Sequence, residues 1–161
     1  MPLDTAAFVS TQPPESPLAD YSEVALAQLP TGRIVALTRT SRSPHNWQTW
    51  SDDNGRTWRQ ACYGTFAITG GPIMVGTASG YLAVVGREGG LTLHTSVDGG
   101  LNWDAGTVLD PDPWCNPAMI ESEPDVLLIF NHAPAPDLRS PGMPKLFRMR
   151  MTDKGPVPLS P

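Results

Sequence analysis

The chain has 161 residues with a formal net charge of −5 at pH 7, and 40% of its residues are hydrophobic. This length fits one domain with a core of its own, and the acidic balance excludes the broad basic surface of a nucleic-acid-binding protein. No apolar run reaches the ~18 residues that a membrane span needs, and the N-terminus lacks the basic-then-apolar pattern of a secretion signal. We therefore expect no nucleic-acid or membrane partner, and a cytoplasmic location by default.

Turn and strand signals organise the chain after residues 1–20, which hold one apolar patch that could form a strand and then a proline-rich connector. From Tyr21 onward, β-branched and apolar runs alternate with turns rich in Gly, Pro and Asp, which is typical of short antiparallel strands. No segment has a 3.6-residue apolar period, so helix should be minor. The expected strands are 24–29, 33–39, 46–50, 59–63, 73–77, 81–87, 91–95, 107–109, 118–121, 126–130 and 146–151.

These strands fall into three similar units within residues 21–161, at about 21–65, 66–110 and 111–155. An irregular loop at 133–144 interrupts the third unit. Repetition of one strand pattern at a fixed period indicates a repeat architecture, in which each unit covers the apolar face of the next.

Two of the units contain the same octet, Ser-x-Asp-x-Gly-x-x-Trp, and the two copies start 45 residues apart. The Asp side chain can accept backbone N–H groups a few residues further on, the Gly supplies a positive φ, and the Trp supplies an apolar plate that fastens the turn. We expect a structural role for both copies. The residues concerned are Ser51, Asp53, Gly55 and Trp58 in the first octet, and Ser96, Asp98, Gly100 and Trp103 in the second.

An earlier turn in each unit aligns the three copies at Gly32, Gly80 and Asp125. Seven residues after these turns lie Arg39, Arg87 and His132, and nine residues before them lie Glu23, Gly71 and Asn116. If the three units surround one central axis, equivalent positions converge on that axis, so these six residues could line one funnel. The alternative is that the arginines are ordinary strand-end charges in water.

The cysteines and histidines indicate no further chemistry. Cys62 and Cys115 are too few and too far apart to predict a disulfide framework or a zinc site. Two reduced thiols are the simpler interpretation, although a piece of a secreted protein would look the same. His45, His94 and His132 have no metal-ligand spacing, so we expect neither a metal nor another cofactor.

The octet closely resembles the Asp-box, or BNR repeat, of the sialidase (neuraminidase) family and related propeller proteins. The resemblance covers about residues 21–152. It implies an all-β fold of sialidase-like, four-stranded antiparallel propeller blades, in an incomplete set of about three. In that family the box joins the third and fourth strands of a blade, on the face away from the catalytic centre, so the boxes imply blades and not by themselves an enzyme.

The segment from Glu23 to Arg39 resembles the family's inner strand with its Glu-x-x-Val-x-x-Leu-x-x-Gly-Arg pattern. The match implies that Glu23 is the carboxylate that assists a tyrosine nucleophile and that Arg39 binds a substrate carboxylate, with Arg87 as a further candidate. Asn116 stands where the family has its tyrosine and cannot replace it. The family's first arginine and its acid/base aspartate have no counterpart in this chain.

The resemblance implies a glycan-directed domain, either part of a glycoside hydrolase or a carbohydrate-binding relative, with Arg39, Arg87, Asn116 and His132 as substrate-binding candidates. The partner would be a carbohydrate, with acidic sugars as the first candidates. An exo-sialidase-like activity would need residues from outside this chain, so enzymatic activity is left open. The alternative is a non-catalytic interaction scaffold. Because about three blades leave two apolar faces open, we expect a homo-oligomer, a different partner chain, or a fragment of a larger ring.

Overall fold

The computed structural model describes residues 21–40, 45–113, 116–132 and 142–160. The expected strand and connector of residues 1–20, the second cysteine, Cys115, and most of the loop at 133–144 lie outside these ranges. Cys62 is an exposed free thiol. The described ranges contain no helix, and therefore none long and apolar enough to cross a membrane.

The described strands form three sheets of four antiparallel strands each, in chain order. Sheet 1 contains β1 (Tyr21–Gln28), β2 (Ile34–Thr40), β3 (Trp47–Ser51) and β4 (Cys62–Tyr63). Sheet 2 contains β5 (Gly70–Gly76), β6 (Leu82–Arg87), β7 (Leu91–Ser96) and β8 (Thr107–Asp110). Sheet 3 contains β9 (Ala118–Glu123), β10 (Val126–His132), β11 (Pro144–Arg150) and β12 (Val157–Pro158). The expected all-β fold of four-stranded units is confirmed.

Two outer strands differ from the sequence prediction. β4 covers two residues where 59–63 was expected, and β12 was not predicted. In sheet 3 a tight turn replaces the octet, because the Thr152 hydroxyl donates to the Gly155 carbonyl over 2.7 Å and brings β12 alongside β11. Such short outer strands depend on pairing with one neighbour and carry little pattern of their own.

The alignment of the three units by their first turn is confirmed by the backbone. Gly32 and Gly80 both have φ of +88°, and Asp125 has φ of +59°. Glycine adopts this left-handed conformation without steric cost, and Asp is among the few other residues that accept it. All three turns therefore reverse the chain in the same way between the first and second strands of their sheets.

Two apolar cores lie between the sheets. Leu82 and Val84 of β6 face the core shared with sheet 1, whereas Ala83 and Val85 face the core shared with sheet 3. All four are completely buried. Successive strand residues point to opposite faces, so sheet 2 is covered on both sides while sheets 1 and 3 each have one face covered within the described part of the chain.

The first octet is closed by its own side chains. Asp53 accepts the Thr57 hydroxyl at 2.7 Å, the Thr57 backbone N–H at 2.8 Å and the Ser51 hydroxyl at 2.8 Å. These hydrogen bonds lower the pKa of Asp53 to about 2, and the bond from the Thr57 hydroxyl has the largest effect. Asp53 is therefore an ionised cap of the turn and does not serve as a proton donor near neutral pH.

The second octet reproduces this geometry with one change. Asn102 takes the place of Thr57, and its side-chain Nδ2 donates to Asp98 Oδ2 over 2.6 Å. The indole of Trp103 packs against the core between sheets 1 and 2 and donates from Nε1 to Gln48 Oε1 at 2.9 Å. This octet therefore also joins sheet 2 to sheet 1.

We expect Asp98→Ala to lower the free energy of unfolding by about 2 kcal/mol, since it removes a part-buried acceptor of several hydrogen bonds. For a chain of this size the melting temperature should fall by about 4–8 °C, measurable by differential scanning calorimetry. Asp112→Ala, which removes an exposed carboxylate, is the control and should change stability by less than about 0.5 kcal/mol. Equal effects of the two variants would contradict the capping role.

Candidate functional site

The candidate site lies at the end of the sheets away from the octets. Ser51 opens the first octet opposite Ile34, beside the turn that joins β1 to β2. Glu23 and Arg39 lie near the other end of the same two strands, beyond the pair formed by Val24 and Thr38. The strand length therefore separates these charged residues from the octet.

A β-bulge places Glu23. The register of β1 and β2 shifts between Tyr21 and Val24, and the register of β5 and β6 shifts at the equivalent place, between Gly70 and Ile73. Bulges re-aim side chains and are frequent next to active sites. Here the two bulges bring the Glu23 carboxylate to the backbone of the neighbouring sheet.

The Glu23 carboxylate bridges sheets 1 and 2. Its Oε2 accepts the Gly71 backbone N–H at 2.8 Å and Nη1 of Arg39 at 3.0 Å. The Gly71 N–H is the main cause of a lowered pKa of Glu23, and the charges of Arg39 and Arg87 add to it, while burial acts in the opposite direction. Glu23 is therefore an anion at neutral pH, held by one backbone donor and one guanidinium.

Arg87 and Asn116 extend this group toward sheet 3. Nη2 of Arg87 donates to Oδ1 of Asn116 at 3.2 Å. A Cβ at Gly70 would collide with the Arg87 guanidinium, and a Cβ at Gly71 would lie 2.5 Å from the Asn116 carboxamide. The two glycines thus form a bare backbone surface on which both side chains lie. We call Glu23, Arg39, Gly71, Arg87 and Asn116 the arginine cluster.

The arginine cluster combines two guanidinium groups with one carboxylate, so it is locally cationic in a chain of net charge −5. The Nε atoms of Arg39 and Arg87 are buried and have no hydrogen-bond partner among the described residues. The side chain of Arg39 is 26% exposed and that of Glu23 38%, so solvent and small ligands can reach the outer parts of these two side chains. Planar guanidinium groups with free donors suit a carboxylate or another planar anion.

The structure brings together four of the five sequence-derived candidates, namely Glu23, Arg39, Arg87 and Asn116. His132 ends β10 at the equivalent position of sheet 3, opposite Pro144, and its backbone N–H donates to Asn131 Oδ1 at 2.8 Å. The contribution of the Gly71 N–H was not predicted, although the alignment of Gly71 with Glu23 and its position in a Gly-Gly pair were available as signals.

A second polar group, also not predicted, lies inside sheet 2. His94 is buried, stacks on Phe66 at 4.1 Å, and its Nε2 lies 2.5 Å from Oε2 of Glu88 and its Nδ1 3.7 Å from Oδ1 of Asp104. Within the described ranges no group of three or more His, Cys, Asp and Glu residues is placed to hold a metal ion. The His94 ring packs on Phe66 and lies between the Glu88 and Asp104 carboxylates.

A groove of about 530 Å³ lies at the octet end, between the second octet and the turn at 153–156. No member of the arginine cluster lines it. Its position on the opposite end of the sheets separates any partner bound there from the candidate site.

No protein-family model matches the chain, and no curated protein matches it at a significant level. Several solved structures do match. A Hadza microbial sialidase superposes with a TM-score of 0.60 at 19% identity over 95% of this chain, and the leech intramolecular trans-sialidase with 0.59 at 20% identity over 83%. The α-L-arabinanase of Penicillium chrysogenum follows with 0.53 at 16% identity over 81%.

The chain has the sialidase-like β-propeller fold. Its three described sheets are blades of that fold, each with four antiparallel strands. The matched region spans 35% of the microbial sialidase, 23% of the leech enzyme and 47% of the arabinanase, so this chain covers less than half of each. At these identities the similarity establishes the fold, and the activity of this propeller has to be argued from its own residues.

Proposed function

We propose that this chain is a glycan-directed propeller domain whose arginine cluster binds the acidic group of a sugar. The observation that carries the proposal is the Glu23 carboxylate, fixed between the Gly71 N–H and Arg39 with Arg87 beside it. The group lies at the ends of β1 and β2 of sheet 1 and β5 and β6 of sheet 2, opposite the octets. The domain would be part of a glycoside hydrolase or a carbohydrate-binding relative of one.

The assignment of the two octets as Asp-boxes belongs to the same proposal. It is supported by their shared pattern of bonds, in which Asp53 and Asp98 each accept the Ser hydroxyl two residues earlier and a backbone N–H four residues later. It is also supported by their place between the third and fourth strands of sheets 1 and 2. An Asp-box role is structural, which leaves the opposite end for ligand.

Arg39 and Arg87 would supply the charge for ligand binding. Arg39 uses Nη1 for Glu23 and Arg87 uses Nη2 for Asn116, so each guanidinium keeps further N–H donors for an incoming carboxylate. A charge-assisted bidentate contact is stronger and more directional than a neutral hydrogen bond. The leech trans-sialidase was solved with 2,7-anhydro-Neu5Ac bound and the arabinanase with arabinobiose, which favours a carbohydrate as the ligand.

Glu23 and Asn116 limit what this chain can do by itself. Glu23 is ionised and can polarise a neighbouring hydroxyl, or serve as the assisting carboxylate for a nucleophile provided by other blades. Asn116 carries a carboxamide that can hydrogen-bond a sugar hydroxyl but cannot attack an anomeric carbon. Hydrolysis would therefore require a nucleophile and an acid/base group from outside the arginine cluster.

The test compares two arginine variants. Arg39→Ala should weaken binding of 3′-sialyllactose by about 10–100-fold, since it removes charged hydrogen bonds worth about 1.5–3 kcal/mol, as measured by isothermal titration calorimetry. Arg33→Ala is the matched control, because Arg33 is ion-paired with Asp52 at 2.7 Å and its side chain is also 26% exposed, but it lies at the octet end.

Three results would contradict the proposal. They are no binding of the acidic sugar by the unmodified chain, equal weakening by both arginine variants, or equal affinity for lactose and 3′-sialyllactose. The alternative function is a non-catalytic interaction scaffold, which Asn116 at the position of the expected nucleophile favours. Under that alternative Arg39→Ala leaves protein partners bound and no sugar binding is detected.

A further inference from the structure

The two outermost sheets each present an apolar face to solvent. On sheet 1 the exposed side chains are Val24 and Leu26, at 56% and 59% exposure. On sheet 3 they are Ile120, Phe130 and Leu146, at 57%, 40% and 62%. Apolar side chains grouped on one sheet face mark an interaction surface rather than scattered surface residues. We call the sheet 1 surface the leading face and the sheet 3 surface the trailing face.

The leading face repeats a surface that is buried twice elsewhere in the molecule. Leu26 is paired with Ala36 across β1 and β2, just as Met74 is paired with Val84 in sheet 2 and Met119 with Ile129 in sheet 3. Met74 and Met119 are each 6% exposed, because they pack against the sheet that precedes theirs. Leu26 therefore occupies the position at which a sheet receives a preceding neighbour.

The trailing face of sheet 3 is equivalent to the surfaces with which sheets 1 and 2 contact the sheet that follows them. Phe130 is paired with Leu146 across β10 and β11, as Leu37 is with Gln48 in sheet 1 and Val85 with Leu93 in sheet 2. The four equivalents are buried in the two cores between sheets, with Leu37, Val85 and Leu93 at 0% exposure and Gln48 at 4%.

Ile120 extends the trailing face in the same register. It is paired with Leu128, as Val75 is with Ala83. Ala83 belongs to the core between sheets 2 and 3, and the partly buried Val75 packs against that core. The trailing face therefore has the register with which sheets 1 and 2 each contact the sheet that follows them.

We propose that the leading face of this chain binds the trailing face of a second copy, and that its own trailing face binds the leading face of that copy. Both contacts between sheets in the structure join a trailing surface to a leading surface, and one chain carries one of each. Two copies related by a two-fold axis bury all four faces at once and form a closed ring of six sheets. A single head-to-tail contact would leave two faces open.

The proposed assembly would bring two arginine clusters to one axis. Each cluster lies at the ends of the first strands of sheets 1 and 2. In the structure β1 contacts β5 and β5 contacts β9, so the first strands of all six sheets would surround that axis. The inference rests on the exposed faces and their register alone, so it stands or fails independently of sugar binding. Its test measures mass and needs no ligand.

The test is light scattering coupled to gel filtration on the full chain and on single-face variants. The unmodified chain should have a mass of twice 17.3 kDa. Leu26→Asp and Phe130→Asp should each halve that mass, because every contact of the head-to-tail pair uses one leading and one trailing face. Val24→Asp and Leu146→Asp provide a second variant for each face. Leu101→Asp, which changes a side chain 55% exposed in the second octet, should remain dimeric.

Several outcomes would overturn the proposal. A monomeric unmodified chain would show that another polypeptide or further blades cover the two faces. A variant of one face that remains dimeric would indicate a symmetric contact between identical faces. Dimers that survive substitution on both faces would place the contact elsewhere. Circular dichroism on each variant confirms that a loss of mass is not a loss of fold.

Discussion

Replacing His94 by alanine is expected to lower the free energy of unfolding by about 3 kcal/mol, the cost of removing a buried ring from a packed core. His94 is 2% exposed and its imidazole stacks on Phe66. The Glu88 carboxylate lies next to Nε2 and the Asp104 carboxylate lies near Nδ1. The variant would leave a cavity beside two carboxylates that have lost a shared partner. Urea unfolding followed by tryptophan fluorescence measures the change.

The loss of stability caused by His94→Ala should depend on pH. Burial disfavours the charged ring, but Asp104 and Glu88 outweigh this effect and raise the pKa of His94 above its ordinary value. The stabilisation from the protonated ring is therefore fully present below the unfolded pKa, about 6.5, and is lost as the pH rises through the higher folded pKa. We expect the difference in stability between the unmodified chain and His94→Ala to decrease over that interval.

Two further variants separate the causes. Glu88→Gln keeps the ring but removes one charge, so it should reduce the pH dependence while costing less stability than His94→Ala. His45→Ala removes an exposed imidazole and should change stability by less than about 1 kcal/mol. A stability difference for His94→Ala that stays constant from pH 6 to pH 9 would contradict a charged His94 in the folded chain.

Replacing Gly71 by alanine is expected to disrupt the arginine cluster and to lower the free energy of unfolding by about 2 kcal/mol or more. Gly71 has φ of +59°, and a Cβ there would meet the Asn116 carboxamide at 2.5 Å. A left-handed non-glycine residue alone costs roughly 1–2 kcal/mol, and the collision adds to that cost. Because the backbone must shift, the N–H bond from Gly71 to Glu23 should weaken and the pKa of Glu23 should rise toward its ordinary value.

Gly80→Ala is the matched control for this variant. Gly80 has φ of +88°, but a Cβ there would meet nothing within 4 Å. It should therefore show the conformational cost alone, with the Glu23 pKa unchanged in a carbon-detected NMR titration. If both variants leave Glu23 unchanged, the Gly71 N–H is not the group that holds its carboxylate.

The local parts of this fold were predictable from sequence. Each octet closes through residues within eight positions, since Asp53 is bonded by Ser51 and Thr57, so the pattern of residue types is nearly sufficient to define the turn. The turns between the first and second strands of each sheet were also predictable. Gly32, Gly80 and Asp125 stand at equivalent positions and can adopt the left-handed conformation that these turns need. The same holds for the central strands β2, β6 and β10, whose apolar runs contain most of the buried positions, whereas Phe130 at the end of the run in β10 is exposed.

The outer strands were less predictable because partner strands determine them. β12 contains Pro158, which is unfavourable in a strand interior, and it forms only because the turn after Thr152 holds it against Met149 and Arg150. The exposed faces of sheets 1 and 3 were expected as a consequence of an open set of blades, but the side chains that form them follow from strand register, which depends on all neighbouring strands at once.

The sequence by itself determined which residues could form a candidate site, since the turn alignment brought Glu23, Arg39, Arg87 and Asn116 into one register. Only the tertiary structure decided how they meet. The bond from the Gly71 N–H to Glu23 joins residues 48 positions apart and requires two bulges and the packing of sheet 1 on sheet 2. The physical reason is that a turn depends on bonds within a few residues, whereas a site between sheets depends on the relative placement of backbones fixed by the whole core.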